Sequence, residues 1–255
     1  MKIPILLPNI FNHPFTYKTL EANLKLGDYV EVPFGKKKKI GIVWDEFEKN
    51  TNKKYLIKNI IRKLKIPSLN LETINFLKWF SEYNLVPIGM SLKLHLLSNE
   101  AIEIQNNKEL QKYKEYKKPD KIKLSYEQIN AVNEITKNDK KFRVHVIQGT
   151  TGSGKTIVYF EALKKLINRG FQGLILLPEI GLTSQFEQKF YEFFGFTPAV
   201  WHSGITKKKK EIIWSGVNEG IIKVVIGARS SLFLPFRKLG LIIVDEEHDQ
   251  SYKQD

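Results

Sequence analysis

The chain has 255 residues, of which 42% are hydrophobic, which suffices for about two packed domains. It has no cysteine, which excludes disulfides and thiolate metal sites, and it has no uncharged apolar run long enough to span a bilayer. The 41 Lys and Arg against 27 Asp and Glu leave a net charge of +14, which calls for an acidic partner, nucleic acid first.

Lys and Asn codon bias accounts for part of that excess, but the excess is uneven. Residues 1–66 carry 14 basic and 6 acidic side chains, a net of +8, against +2 for 67–123 and +4 for 124–255. The first segment is the better candidate for a surface facing a phosphate backbone. Its start, with one Lys and then Pro4 and Pro8, makes a poor signal peptide.

Residues 1–66 read as a small β-rich unit. Ile3 to Leu7 is one apolar run, Tyr29 to Val32 alternates, and Ile40 to Trp44 is a further short strand. Pro33 to Lys39 lies between the last two as a turn with a lysine run. Residues 67–98 form a helical connecting segment. A helix is predicted over 70–85 from the spacing of Ile74, Leu77 and Phe80, with Asn70 as N-cap and Pro87 and Gly89 as its stop. The aromatic residues Phe76, Trp79, Phe80 and Tyr83 are expected to pack. Residues 99–123, rich in Lys and acids, read as a linker or a solvated helix.

From residue 124 onward helices and strands alternate. Helices are expected at Ser125–Thr136, Thr156–Asn168 and Leu182–Phe194. Apolar strands are expected at Val144–Gln148, Gly173–Leu177, Lys223–Ile226 and Leu241–Val244. Such a pattern indicates an α/β unit with a parallel sheet covered on both faces.

Gly149-Thr150-Thr151-Gly152-Ser153-Gly154-Lys155-Thr156 fits the phosphate-loop pattern between a predicted strand and a predicted helix. The glycines let successive backbone N–H groups face phosphate oxygens, and the helix N-terminus adds partial positive charge. Lys155 is placed to reach the β- and γ-phosphates of ATP, and the Thr156 hydroxyl to ligate Mg²⁺. Asp245 leaves the end of an apolar strand as the second Mg²⁺ ligand. Glu246 beside it is placed to orient or deprotonate an attacking water. Lys155, Asp245 and Glu246 are therefore the candidate catalytic residues. His248 completes an Asp-Glu-Glu-His tetrad and is expected to couple the nucleotide site to bound DNA.

The tetrad downstream of a phosphate loop resembles superfamily 2 helicases. Residues 149–159 (GTTGSGKTIVY), 177–185 (LPEIGLTSQ), 202–204 (HSG), 225–236 (VIGARSSLFLPF) and 239–254 (LGLIIVDEEHDQSYKQ) resemble the PriA family of replication-restart DNA helicases. Phe15-Thr16-Tyr17, Gly27-Asp28, Val32 to Gly35 and Gly41 to Val43 resemble that family's small domain for the 3′ end of a DNA strand at a fork, and residues 75–97 resemble the family's next segment after that domain.

The resemblance implies a RecA-like parallel-sheet helicase lobe at 124–255, preceded by a β-rich 3′-DNA-end-binding domain at 1–66. It implies that Gln128 reads adenine, and that Phe15, Thr16, Tyr17, Gly35 and Lys58 bind the DNA end. Thr183, Ser203, Arg229 and Ser230 would grip single-stranded DNA. The implied partners are single-stranded and forked DNA, other primosome proteins and single-stranded-DNA-binding protein. The implied setting is a monomer, without a membrane, in the bacterial cytoplasm at the nucleoid.

The sequence departs from the family at Thr16, where an Asp is usual, and at Ala228, where a Thr is usual. A winged-helix domain is expected to be reduced to the linker or absent. The second motor lobe, its arginine finger and a zinc module belong to a part of the family that these residues do not match, so zinc is expected only there. The chain alone is then expected to bind ATP and DNA but hardly to hydrolyse ATP. The alternatives are a non-catalytic fork-binding product and another superfamily 2 translocase.

Overall fold

The computed structural model describes residues 1–20, 23–46, 56–96, 108–113, 123–137, 142–150, 152–178 and 183–252. The chain divides into two compact units. One comprises Met1–Asn107, Thr206–Glu219 and Phe233–Arg237, and the other comprises Lys108–Ile205, Gly220–Leu232 and Lys238–Asp255. Neither unit is one continuous stretch of sequence.

The first unit is built on five antiparallel strands: β1 (Lys2–Leu6), β2 (Phe15–Lys18), β3 (Tyr29–Phe34), β4 (Lys37–Val43) and β5 (Arg62–Lys63), in the order β2-β1-β4-β3-β5. Ile3, Ile5, Leu7, Tyr17, Val30, Val32 and Val43 form its core. Gly41 lies so close to the Ile5 and Leu7 side chains that a Cβ there would meet both at 2.6 Å. The lysine turn is shorter than expected: β3 runs to Phe34 and β4 starts at Lys37, with Phe34 opposite Lys37. Gly35 and Lys36 alone turn the chain, and Gly35 takes φ +61° as a two-residue hairpin of the II′ type requires. Lys37, Lys38 and Lys39 thus belong to a strand.

Helix α1 (Leu71–Tyr83) begins where the sequence predicts, with the Asn70 side chain accepting from Thr73 N at 2.9 Å. It buries Ile74, Leu77 and Ser81. A second helix, α2 (Ile88–His95), follows Pro87. The aromatic residues of α1 do not all pack: Trp79 and Tyr83 are 53% and 73% exposed. They extend a ladder from Phe76, because residues three and four apart share a helix face.

His95 is fully buried. Tyr29 Oη lies 2.9 Å from its Nε2, and Phe233 O lies 2.8 Å from its Nδ1. The His95 carbonyl accepts from Trp214 Nε1 at 2.9 Å. Trp214 belongs to α6 (Lys207–Asn218), a helix that the sequence pattern does not predict. The helicase-like stretch therefore supplies part of this unit's core.

The second unit carries four parallel strands: β6 (Gln172–Leu176), β7 (Ala199–Trp201), β8 (Val224–Gly227) and β9 (Leu239–Val244), in the order β7-β8-β6-β9. Its helices are α3 (Tyr126–Ile135), α4 (Lys155–Asn168) and α5 (Ser184–Phe194). Phe160 sits among Phe186, Phe190, Phe193 and Phe194, and these aromatics with Ile175, Ile226 and Ile243 make the core. The parallel order and the apolar β6 and β8 agree with an α/β lobe.

Two expectations are corrected here. Val144–Gln148 is not a strand, since residues 142–150 carry no regular structure. Val144 and Val146 are 78% and 88% exposed, and Ile147 is the residue that packs, against the cores that contain α4 and Leu241. Within 99–123, the described residues Lys108–Tyr113 form a 3₁₀ helix that buries Leu110 and Tyr113, which a solvated linker would not do. No helix among the described residues is long and apolar enough to cross a membrane.

Candidate nucleotide and nucleic-acid sites

The phosphate loop runs straight into α4. Gly154 caps the helix at φ +86° and gives it no side-chain cap, so the first N–H groups of α4 are open to an anion. Gly152 has φ +82°, and a Cβ on Gly154 would meet Gln128 Nε2 at 2.5 Å. Lys155 Nζ donates to the carbonyls of Gly149 at 2.7 Å and Thr150 at 3.1 Å. The ammonium therefore rests on the loop's own oxygens, over the cradle where a phosphate is expected. Thr151 lies outside the described residues.

Gln128 reaches the same loop. It is the third residue of α3, whose N-cap Ser125 forms a reciprocal capping box with it. Gln128 Oε1 accepts from Ser125 N at 2.9 Å, and its Nε2 contacts Ser153 O at 3.5 Å. The side chain expected to read adenine is thus held against the phosphate loop by the start of α3.

Asp245 follows β9, and its N–H continues the sheet ladder to Leu176 O at 3.1 Å. Tyr159 of α4 donates its phenol to Asp245 Oδ2 at 2.7 Å, and Glu246 N donates to Oδ1 at 3.1 Å. Tyr159 lies one turn after Thr156, so the helix that carries one residue expected to hold Mg²⁺ also holds the other by the phenol's hydrogen bond. Burial, and then the Asp245 charge, push the Tyr159 phenol far above its ordinary range, so it remains a donor.

Glu246 takes φ +50°, a strained value for a residue with a side chain, in the turn that presents it. Its carboxylate lies 3.5 Å from His248 Nε2, and His248 is 77% exposed. Tyr252 donates to the Asp245 carbonyl at 2.9 Å, and its own carbonyl lies 3.4 Å from Arg229 Nη1. Burial first, and the nearby acids next, push the Tyr252 phenol up to about 12.

The expected single-strand grip is exposed. Arg229 and Ser230 open a 3₁₀ turn after β8, where Ser230 Oγ accepts from Trp201 Nε1 at 3.1 Å. Thr183 caps α5 and Ser203 is exposed in the turn after β7. Residues 179–182, just before Thr183, lie outside the described residues.

In the first unit, Phe15 lies at the sheet edge in a ring cluster with Phe11, His13 and Phe34. Lys39 stands over the Phe34 ring at 4.8 Å. Lys58 Nζ approaches Gly35 O at 3.4 Å, which brings two expected end-binding residues together. Thr16 pairs with Pro4 on β1 and is half-buried. Tyr17 is a correction: its ring is 4% exposed in the sheet core and its hydroxyl donates to Pro33 O at 3.1 Å. Side chains alternate along a strand, so Tyr17 shares its face of β2 with Phe15, and Thr16 lies on the opposite face.

Asp28 anchors the far end of β3. It accepts from Lys63 Nζ at 2.6 Å, Ser68 Oγ at 2.5 Å and Lys25 N at 2.7 Å. Burial raises its carboxyl, but these donors outweigh burial and hold it below the usual range. The sequence pattern assigns no site role to Phe11, His13, Tyr159 or Tyr252. The helical spacing of Thr156 and Tyr159 was the one signal in the sequence that could have marked the third of them.

Residues 4–96 match the family model described as the PriA 3′ DNA-binding domain, and residues 121–254 match the one described as type III restriction enzyme, res subunit. The chain is 42% identical over 255 residues to the replication restart protein PriA of Rickettsia conorii, covering 98% of this chain and 38% of that relative. It is 40% identical over 144 residues to that of Bacillus subtilis, covering 56% of this chain and 18% of the relative. It is 31% identical over 250 residues to that of Helicobacter pylori strain J99, covering 94% and 36%. The chain spans well under half the length of these relatives.

Proposed function

The chain belongs to the PriA family of replication restart proteins, and on that premise we propose that it forms the DNA-end-binding and ATP-binding part of an ATP-dependent 3′-to-5′ DNA helicase acting at stalled replication forks. In this reading residues 1–66 hold the 3′ end of a strand and residues 124–255 form the first motor lobe, in the bacterial cytoplasm at the nucleoid. Other primosome proteins and single-stranded-DNA-binding protein are its partners.

The observation that carries the nucleotide reading is the hydrogen bond from Tyr159 to Asp245, which ties that acid to α4, the helix that opens without a side-chain cap at the phosphate loop. Thr156 and Asp245 offer two hard oxygen donors, which suits Mg²⁺, an ion that usually takes one or two protein carboxylates and fills the rest of its shell with phosphates and water. Among the described residues no cluster of three or more His or acidic side chains offers a metal an all-protein cage. ATP with Mg²⁺ supplies the phosphoanhydride bond whose cleavage powers movement on DNA.

The protein's part is to position and to stabilise charge. Lys155 leaves the Gly149 and Thr150 carbonyls for phosphate oxygens, the α4 N–H groups hold the same phosphates, and Gln128 pairs with the adenine edge. Glu246 orients the attacking water. Arg229, Ser230, Thr183 and Ser203 contact DNA phosphates, and His248 beside Glu246 couples the two events. At the 3′ end Phe15 stacks on the terminal base, Lys58 meets phosphate, and Thr16 offers the hydroxyl partner a weaker acceptor than a carboxylate.

Titration of fluorescent ATP with Mg²⁺ into the full chain tests the nucleotide site. Saturable binding that Lys155→Ala removes is expected, and no affinity in the parent chain overturns it. Forked DNA with a 3′ end at the branch is expected to bind more tightly than blunt duplex. Lys58→Ala is expected to weaken that binding and to lower the salt slope by about 1. Equal affinity for fork and blunt duplex overturns the end-binding reading.

A further inference from the structure

Tyr159 lies one helical turn after Thr156 on α4, so the two side chains share a face. Its ring is 4% exposed within the aromatic core of the second unit. A tyrosine buried only for its ring would do as well as phenylalanine, yet the phenol spends its proton on the Asp245 carboxylate at 2.7 Å. The second Asp245 oxygen is held by Glu246 N at 3.1 Å.

Asp245 sits at the end of β9 in a turn strained at Glu246, so its backbone alone does not aim the side chain. The residue that aims it comes from the helix that opens at the phosphate loop. Building on the nucleotide reading above, we propose that Tyr159 is the positioning residue of the magnesium site: from the helix that carries Thr156, its phenol holds the Asp245 carboxylate toward the magnesium–nucleotide complex. Each carboxylate oxygen keeps a further lone pair, so the phenol and the metal do not compete for one position. This hydrogen bond also ties the end of β9 to α4, so that the loop and the acid move together.

The experiment is fluorescent ADP binding by the full chain, in EDTA and in Mg²⁺, for the parent, Tyr159→Phe, Asp245→Asn and the double variant. Phenylalanine keeps the ring in its core slot. Affinity in EDTA is expected to be unchanged by Tyr159→Phe, while the gain conferred by Mg²⁺ falls roughly tenfold, the scale of a hydrogen bond to a charged group. In the Asp245→Asn background, Tyr159→Phe is expected to cost little more, because it acts through that carboxylate. Mn²⁺ binding followed by electron paramagnetic resonance in the presence of ADP is expected to weaken in parallel.

An undiminished Mg²⁺ gain overturns the proposal. So does an equal loss with and without Mg²⁺, which marks a purely structural tyrosine, and so does full additivity in the double variant. If the parent chain binds no nucleotide at all, both this proposal and the nucleotide reading fall. If it binds with a Mg²⁺ gain that Tyr159→Phe leaves intact, only this one falls.

Discussion

Asp245 receives a hydrogen bond on each carboxylate oxygen, and so its side chain is oriented before any ligand arrives. Lys155, by contrast, is parked on two carbonyls of its own loop. In the proposed function, nucleotide binding asks one group to stay and the other to exchange partners. His95 shows the same logic away from the sites. It is buried as a neutral ring between Tyr29 Oη and Phe233 O, and burial, only partly offset by the Phe233 carbonyl, lowers its pKa to about 4. The unfolded chain takes up a proton near pH 6.5 and the folded one does not. Stability is thus untouched above pH 6.5 and is lost as pH falls from there toward 4, by about 3 kcal/mol in all. Urea unfolding between pH 7 and 4 is expected to show this loss, and His95→Gln to flatten it.

At the scale of elements, the capping box of α3 does two jobs. It satisfies the first N–H groups of the helix, and it fixes Gln128 against Ser153. Ser125→Ala is expected to cost about 1 kcal/mol in thermal unfolding. Ser125→Ala keeps the backbone N–H that holds Gln128 Oε1, so the preference for adenine over guanine nucleotides, measured by competition, is expected to survive it and to fall in Gln128→Ala. Capping was legible for α1, at Asn70, and periodicity for α1, α3 and α4. Helix α6 was not legible. Lys207 to Lys210 at its start oppose the helix dipole and hide the apolar face that begins at Ile212. The run Val144–Gln148 misled in the other direction: its alternation is strand-like, but only Ile147 finds a core to pack on.

At the scale of the whole molecule, the division into units does not follow the order of the motifs. Residues 206–219 and 233–237 lie within the helicase-like stretch but fold with the N-terminal sheet. Trp214 is 2% exposed there and packs edge-on against Tyr29 and His95. Trp214→Ala is expected to cost about 3–5 kcal/mol. It is expected to impair fork binding more than nucleotide binding in the same preparation. A larger loss of nucleotide binding than of DNA binding contradicts that placement.

The sequence by itself determined the chemistry of the phosphate loop, because close backbone wrapping, the lysine and the hydroxyl are local in the chain. It determined most strands and helix starts for the same reason: periodicity and caps act over a few residues. The partners of those groups were decided by the tertiary structure. Tyr159 meets Asp245 only because α4 packs beside β9, Tyr17 turns inward only because β1 and β2 pair in that register, and Trp214 joins the N-terminal core across 119 positions of chain to His95. Contacts at such separation depend on how elements pack, and nothing in the spacing of neighbouring residues records it.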